Sequence, residues 1–322
     1  MSPTILPDPR RSPRFAGIST FCRYPTLEEA QATGAPVDWA LYGVPFDSGV
    51  TYRPGSRFGP RAVRDASQYV KRYSIHHGLD LCETLGLADA GDAPVNPYDC
   101  KAHLDGVVGF ASELADPKHT KLLAIGGDHS LAYANIKATW LRRGKPEGGL
   151  AMLHFDSHVD TLDAWLGEKW SHASPFIRLI EEGCLDPKAT LSVGIKGPLN
   201  TCADLDFAKE HGVRIVTRER FARDGFASID PFLAELGERE VYISFDIDCL
   251  DPADAPGTGT LAMGGFSATE ALGMLRRCAG VNVVGGDVVE VLPDRDLGDN
   301  TALLAAHVAF EILCLDAANR RG

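Results

Sequence analysis

The feature that most constrains the fold is an alternation of eight apolar, strand-length runs with helix-length amphipathic segments. Strands are predicted at roughly 38–45, 84–90, 121–126, 149–156, 190–195, 213–216, 240–247 and 281–289. Most are nearly continuous apolar runs, which is typical of strands buried on both faces. Helices are predicted at 59–72, 100–115, 131–143, 174–182, 202–211, 227–237, 267–278 and 299–316. This alternation predicts an α/β fold in which a parallel sheet lies between layers of helices.

One enzyme-sized domain preceded by an extended arm is the predicted organisation. The chain has 322 residues, 44% of them hydrophobic, which suffices for a substantial core. Residues 1–36 show little periodicity and carry Pro3, Pro7, Pro9 and Pro13. We therefore expect an extended N-terminal arm that packs on the surface or on a neighbouring chain. Because no linker or internal repeat follows, residues 37–322 are predicted to form a single domain.

Short acidic and histidine-bearing strings follow four of the apolar runs: residues 126–130 (GGDHS), 155–160 (FDSHVD), 244–248 (SFDID) and 287–290 (DVVE). In open parallel sheets, ligands bind outside the carboxyl ends of the strands. All four strings occupy that position, so we expect them to converge although they are far apart in sequence.

The first three strings contain two imidazoles and four carboxylates, apart from Asp128. An extended chain points alternate side chains to the same side, so D-x-H-x-D and D-x-D each present their polar groups together. Aspartates placed together would repel and stay partly protonated, whereas two divalent cations balance four negative charges. A lone Asp at a strand end is often only a helix N-cap, but the set indicates a binuclear metallohydrolase. The candidate metal ligands are His129, Asp156, His158, Asp160, Asp246 and Asp248.

The net charge of −12 argues against a nucleic-acid partner, which requires a basic surface. It is compatible with a cationic substrate attracted to an acidic cleft. Solubility alone also explains a charge of this size.

Cysteine usage indicates a reducing compartment. The eight cysteines are scattered and form no C-x-x-C pair, so a zinc knuckle or a thioredoxin-like motif is not predicted. A reduced, cytoplasmic protein is the simpler interpretation. No signal peptide is visible. We expect no segment long and apolar enough to span a bilayer, and therefore no membrane partner.

Because it contains these strings, the chain resembles the ureohydrolase family of arginases and agmatinases over about residues 40–315. Residues 244–260 (SFDIDCLDPADAPGTGT) are similar to the family signature, and residues 52–60 (YRPGSRFGP) are similar to its N-terminal glycine motif. The likeness is greatest to the agmatinase-like branch, which includes guanidinobutyrase, guanidinopropionase and proclavaminate amidinohydrolase. It implies a three-layer α/β/α sandwich with an eight-stranded parallel sheet, and a single ureohydrolase catalytic domain over residues 37–322. It also implies a homo-oligomer, trimer or hexamer, with a hetero-oligomer as the alternative.

The resemblance also implies the chemistry, which is hydrolysis of a small cationic guanidino compound to urea and an amine. One metal ion would be bound by His129, Asp156, Asp160 and Asp246, and the other by Asp156, His158, Asp246 and Asp248, with Asp156 and Asp246 bridging. Such a pair lowers the pKa of a shared water. Mn²⁺ is the expected metal, with Ni²⁺ as the alternative.

The resemblance also implies roles for individual residues. Asp248 would relay a proton to the departing amine. Glu290 pairs with the guanidinium, whose fixed N–H donors suit a carboxylate. His172 contacts substrate or shuttles protons, and Asp163 lies in the loop near substrate.

Simpler explanations exist for several of these residues. Glu290 could pair with Arg295, and Asp163 could be an exposed loop carboxylate. His154 is expected to be a buried, hydrogen-bonded structural histidine, and Asp128 to orient its neighbours or cap the next helix. Cys249 lies between ligands, and we expect no chemistry from it.

The sequence determines the identity of the substrate less closely than the type of reaction. Relatives often read His-Gly-Thr where this chain has His172-Ala173-Ser174, and they have Pro at the position of Leu261. Gly285 and Gly286 precede Asp287 where relatives often place a larger residue, which predicts extra space beside Glu290. The length of loop 162–170 favours a guanidino acid such as 4-guanidinobutyrate. Guanidine, an alkylated biguanide such as metformin, and agmatine are the alternatives.

Two other classes of protein are compatible with parts of this pattern. A deacetylase-like enzyme has a related fold, but it uses a single zinc and lacks the separate D-x-D string. A non-catalytic subunit of a hetero-oligomer typically loses ligands, and all six are present.

Overall fold

The computed structural model describes residues 3–321 and contains every strand predicted for the main sheet. In chain order the strands are β1 (Trp39–Val44), β2 (Tyr73–Ser74), β3 (Leu79–Asp80), β4 (Leu87–Asp92), β5 (Lys121–Gly126), β6 (Leu150–Phe155), β7 (Leu185–Ile195), β8 (Arg214–Thr217), β9 (Val241–Asp246) and β10 (Val283–Val289). Eight of them form one sheet in the order β4-β1-β5-β10-β9-β6-β7-β8, whereas β2 and β3 form a separate small hairpin. Every neighbouring pair in the large sheet is parallel.

The α-helices are α1 (Leu27–Ala32), α2 (Gly59–Ser67), α3 (Leu81–Thr84), α4 (Cys100–Glu113), α5 (Leu131–Arg142), α6 (Pro175–Glu181), α7 (Asp206–His211), α8 (Arg218–Asp224), α9 (Asp230–Leu236), α10 (Ala268–Arg277) and α11 (Asn300–Asn319). The eight predicted helices are present, but α2 ends five residues early, at Ser67 and not at residue 72. The predicted helix at 202–211 starts as a 3-10 turn over Cys202–Leu205. The short helices α1, α3 and α8 were not predicted, because helices of this length depend on caps and packing more than on periodicity.

Both faces of the sheet are covered, as the continuous apolar strands predict. In β1, Trp39 and Leu41 belong to one buried cluster, and Tyr42 and Val44 belong to another on the opposite face. The first cluster contains residues of α2, α10 and α11, and the second contains residues of α4, α5 and α6. The three-layer α/β/α arrangement is therefore confirmed.

Strand order determines where the site lies. The strings at 126–130, 155–160, 244–248 and 287–290 end or follow β5, β6, β9 and β10, which are four neighbouring strands in the order β5-β10-β9-β6. Because these strands are parallel, their carboxyl ends meet at one edge of the sheet.

The N-terminal segment differs from the predicted extended arm. Residues 27–32 are helical because Thr26 and Glu29 form a reciprocal capping box, with bonds of 3.2 Å and 2.8 Å. Phe21 and Tyr24 are buried in the main core. The described part of this segment therefore packs on its own domain, and Met1 and Ser2 lie outside the described residues.

Helix α11 corrects the expectation that no segment could span a bilayer. Asn300–Asn319 is 20 residues long with a mean hydropathy of 1.6, so by length and composition it qualifies. However, 83% of its most apolar window is buried inside the protein. Its apolar surface is satisfied by the core, as expected for a central helix of an α/β fold.

Candidate metal centre

The carboxyl ends of β5, β6 and β9 bring the predicted ligands together in two overlapping groups. In the first, His129 Nδ1 lies 3.1 Å from Asp156, 2.9 Å from Asp160 and 3.2 Å from Asp246. Ligand atoms that share an octahedral ion at about 2.1 Å lie about 3 Å apart. These separations are therefore those expected of atoms around one cation.

The second group is built on His158. Its Nδ1 lies 3.3 Å from Asp156 and 3.2 Å from Asp248. The backbone N–H of Asp248 donates to Asp246 Oδ1 at 2.8 Å, which ties the two ends of the D-x-D string together. Asp156 takes part in both groups, and His154 lies close enough to offer a further donor atom to the first.

The tautomer that His129 adopts when its imidazole is neutral follows from its neighbours. Its Nε2 lies 2.8 Å from Ser244 Oγ, and Ser244 donates its proton to Asp287 Oδ1 at 2.8 Å. Ser244 must therefore accept from Nε2–H, which leaves Nδ1 as the free ring nitrogen of the neutral imidazole. That Nδ1 is buried and has no hydrogen-bond partner among the described residues.

The carboxylates around His129 create a negative potential at Nδ1, which favours a cation there. Burial lowers the pKa of His129, but the three neighbouring carboxylates raise it well above its ordinary value. Burial, together with the charges of Asp248 and Asp156, also raises the pKa of Asp246 well above its ordinary value. A buried group of carboxylates that cannot all stay ionised alone is well suited to divalent cations.

Local backbone strain marks the same place. Asp160 and Glu290 have φ angles of +48° and +64°, in the left-handed region that non-glycine residues rarely adopt. Gly127 allows the chain to turn toward His129, because a Cβ there would lie 2.4 Å from the carbonyl oxygens of Val44 and Phe46. The carbonyl of Gly127 also accepts from the N–H of Glu290 at 2.9 Å, so the two strings are fixed to each other.

Glu290 lies beside the predicted ligands and contacts His172. Its Oε1 accepts from the backbone N–H of His129 and lies near Nδ1 of His172, each at 2.9 Å. Arg295, the alternative partner, makes no ion pair with Glu290 among the described residues. Burial lowers the pKa of His172, but the hydrogen bond with Glu290 and nearby carboxylates raise it to about 9. Thr51 contacts the other ring nitrogen of His172 through its N–H at 3.0 Å and its hydroxyl at 2.8 Å.

A cleft of about 200 Å³ opens onto this centre. Its walls are formed by Thr51, His158, Val159, Asp160, Leu162, Trp165, His172, Ala173, Pro198, Leu199, Asn200, Asp204, Asp246 and Thr260. Ala173, one of the departures from relatives, is in this wall, whereas Leu261 is not.

Two predictions about the cleft differ from the structure. Asp163 is 62% exposed, pairs with Arg178 and does not line the cleft. The space predicted from Gly285 and Gly286 is filled, because added Cβ atoms would lie 2.9 Å from Thr139 and 3.0 Å from the carbonyl of Ile243. These glycines allow close packing against α5 and β9.

The simpler expectations for the buried neighbours agree with their contacts. His154 is fully buried, with Nδ1 3.1 Å from Ser192 and Nε2 2.8 Å from Asp156. Asp128 accepts from the backbone N–H groups of Gly49 at 2.8 Å and Ser130 at 3.0 Å, so it orients the turn before α5.

Three residues of the site were not singled out from sequence. Ser244 lies within a recognised motif and Thr51 is next to one, so both positions could have been suspected. Only the structure shows that they contact His129 and His172. Asp204 lines the cleft from the segment after β7, and no motif marks it.

Removing the Ser244 hydroxyl should weaken metal binding. In Ser244→Ala the Nε2–H of His129 loses its acceptor, so the ring no longer has a fixed tautomer and orientation. We expect metal affinity to fall by about 10- to 100-fold, measured by chelator competition with metal analysis. Ser192→Ala, which removes a hydroxyl next to His154, is the control. Equal affinity in wild type and Ser244→Ala would show that Ser244 does not orient the ligand.

Comparison with known proteins agrees with this geometry. A sequence model of the Arginase family matches residues 37–315. A guanidinopropionase of Pseudomonas aeruginosa is 41% identical, with 96% of this chain and 94% of the relative covered. A proclavaminate amidinohydrolase of Streptomyces clavuligerus is 39% identical over 95% of both chains.

Solved structures agree as well. A proclavaminate amidinohydrolase structure from Streptomyces clavuligerus superposes with a TM-score of 0.87 at 39% identity, covering 96% of this chain and 100% of that one. The structure of a hypothetical agmatinase from Burkholderia thailandensis superposes with a TM-score of 0.85 at 34% identity, covering 96% of this chain and 94% of that one. The chain therefore belongs to the Arginase family, within its agmatinase-like branch, as a ureohydrolase that acts on C–N bonds of amidines.

Proposed function

We propose that this chain is a two-metal amidinohydrolase that cleaves a small guanidino compound to urea and an amine. The observation that carries the proposal is the buried, unpartnered Nδ1 of His129, which faces three carboxylates at 2.9–3.2 Å. A second imidazole, His158, faces a carboxylate pair that shares Asp156. This donor set fits two divalent ions, and it argues against a non-catalytic subunit that has lost its ligands.

The first ion would be held by His129, Asp156, Asp160 and Asp246, and the second by Asp156, His158, Asp246 and Asp248. When bound, the pair lowers the pKa of a shared water and so supplies a nucleophile near neutral pH. Carboxylate oxygens suit Mn²⁺, which we propose as the metal, and imidazole accommodates Ni²⁺, which is the alternative.

The surrounding residues position the substrate. Glu290 is fixed by His129 N–H and His172 through Oε1, and its Oε2 has no hydrogen-bond partner among the described residues. That oxygen can accept an N–H of the guanidinium, whose planar donors suit a carboxylate. His172 would then contact the substrate from the cleft wall.

Proton delivery is assigned to Asp248. The tetrahedral carbon formed by attack collapses only when the departing amine gains a proton. Asp248 Oδ1 accepts from the N–H of Ser157 at 3.1 Å, and Oδ2 accepts from Thr260 at 3.0 Å. Thr260 lines the cleft, which supports a role for Oδ2 in passing a proton to an amine that leaves through it.

Substrate, assembly and location are further parts of the proposal. The names of relatives refer to guanidino acids in some cases and to agmatine in others. Loop length favours 4-guanidinobutyrate, and guanidine, a biguanide and agmatine are the alternatives. Asp163 pairs with Arg178 outside the cleft, so the proposal takes its loop neighbours Leu162 and Trp165, and not Asp163, as substrate contacts. All eight cysteines are free thiols, which supports a cytoplasmic location. A homo-oligomer, trimer or hexamer, or a hetero-oligomer would be distinguished by mass in solution.

Urea release tests the function directly. Protein loaded separately with Mn²⁺ and Ni²⁺ should release urea from at least one of the candidate compounds, and elemental analysis of protein purified without added metal should identify the native ion. Chelation should abolish the activity and re-addition of metal should restore it. Failure of the fully loaded protein to hydrolyse any guanidino compound would contradict the proposed reaction.

A further inference from the structure

We infer that Asp204 makes the cleft select against guanidino compounds with an acidic tail, in favour of those whose remainder is cationic or donates N–H bonds. This inference rests on the proposed function, because it concerns the part of the substrate that does not react. It revises the preference for 4-guanidinobutyrate that the length of loop 162–170 predicts.

Asp204 is a fixed carboxylate in the cleft wall. Its Oδ2 accepts from the N–H groups of Asn200 at 3.0 Å and Thr201 at 3.3 Å, and its Oδ1 accepts from the Thr201 hydroxyl at 3.1 Å. It makes no ion pair with a basic side chain among the described residues. A carboxylate oxygen has two acceptor sites, so each oxygen can still accept from a substrate.

The metal centre does not neutralise Asp204. Two divalent ions carry four positive charges, which the four predicted aspartate ligands balance. Before substrate binds, Glu290 is balanced by His172: burial lowers the pKa of His172, but its hydrogen bond with Glu290 raises that pKa to about 9. The charge of Asp204 is then left over, and it faces the same cleft.

No lysine or arginine lines the cleft in the part of the chain that the structure describes. Arg178 pairs with Asp163 outside the wall, and Lys196 donates to the carbonyl of Asp248 at 2.8 Å. Arg53 lies with its guanidinium 4.8 Å from the ring centre of Tyr52 and is not part of the wall. His172 lines the wall but pairs with Glu290, so a substrate carboxylate near Asp204 would find no unpaired cation.

The remaining walls limit the size and polarity of the tail. Leu162, Trp165, Pro198 and Leu199 are apolar, and the cleft has a volume of about 200 Å³. The cleft thus fits a short tail with methylene or methyl groups, in keeping with the acidic net charge of −12.

Compounds matched in length test the inference. Agmatine, butylguanidine and 4-guanidinobutyrate have similar chains that end in an ammonium, a methyl and a carboxylate. Each is assayed as a substrate, and as an inhibitor of whichever guanidino compound the wild-type holoenzyme hydrolyses best. We expect 4-guanidinobutyrate to be the weakest of the three by at least about tenfold, because its carboxylate would lie beside the like charge of Asp204.

Asp204→Asn removes the charge but keeps the shape. It should reduce the ratio of kcat/KM for butylguanidine to kcat/KM for 4-guanidinobutyrate by about tenfold or more, with metal content unchanged. Asp206→Asn, an exposed carboxylate at the start of α7, is the matched control and should leave the ratio as in wild type. Because Asn can still accept two of the loop's bonds, thermal unfolding of both variants shows whether the segment keeps its fold.

Preference of the wild type for 4-guanidinobutyrate, or an unchanged ratio in a folded Asp204→Asn variant, would overturn the inference. Neither result would affect the proposed function, since urea would still be released. Absence of urea from every compound would instead contradict the function itself.

Discussion

Asp246→Asn should reduce bound metal from about two ions per chain to one or fewer, and should lower turnover by at least about a thousandfold. Asp246 lies 3.2 Å from His129 Nδ1, and its other oxygen accepts the N–H of Asp248. An asparagine offers one neutral oxygen in place of a bridging carboxylate. The remaining three aspartates can then balance only part of the charge of two divalent ions.

Metal content by elemental analysis and urea release on the same samples measure this effect. Asp105→Asn, which neutralises an exposed carboxylate on α4 that pairs with Lys101, is the control for loss of one negative charge. Because burial and its neighbours raise the pKa of Asp246, the variant should fold at least as well as the metal-free wild type. A fully active variant, or an active wild type with a single ion, would contradict the two-metal centre.

Glu290→Gln should lower kcat/KM by about tenfold to a hundredfold while metal content stays near two ions. The substitution keeps the acceptor for His129 N–H but removes the charge that would pair with the guanidinium. Charge-assisted hydrogen bonds of that kind contribute about 1.5–3 kcal/mol, and about 1.4 kcal/mol corresponds to a factor of ten. No predicted ligand is changed.

Kinetics and metal analysis must be combined to interpret this variant. Glu113→Gln, at an exposed position at the end of α4, controls for the loss of a carboxylate. Loss of metal together with activity would make Glu290 a support for His129 and not a substrate contact. Unchanged kinetics would remove Glu290 from the site.

Much of the fold was predictable because its signals are local. The apolar runs of β5 and β9 identify strands buried on both faces, and the D-x-H-x-D and D-x-D strings place ligands at strand ends through the period-2 geometry of an extended chain. Helix α11 was predicted as a helix from the same kind of pattern. Its burial was not, since a central helix and a membrane helix have similar compositions.

Contacts between distant segments could not be predicted in this way. Glu290 was assigned by position, but its pairing with His172 spans 118 residues. The hydrogen bonds that join Asp287, Ser244 and His129 form only because β9 and β10 are neighbours in the sheet. Gly285 and Gly286 were interpreted as open space because sequence shows a missing side chain and not the neighbour that fills its place.

By itself, the sequence determined the α/β class, the strands of the sheet and the residues able to bind metal, because periodicity and side-chain chemistry are properties of short segments. The tertiary structure alone decided which strands are neighbours, that Nδ1 of His129 is left without a partner, that Asp163 faces Arg178, and that Asp204 faces the cleft. The physical reason is that charge and hydrogen bonding act over a few ångströms in space, and only the order of the strands β5-β10-β9-β6 brings these groups within that distance.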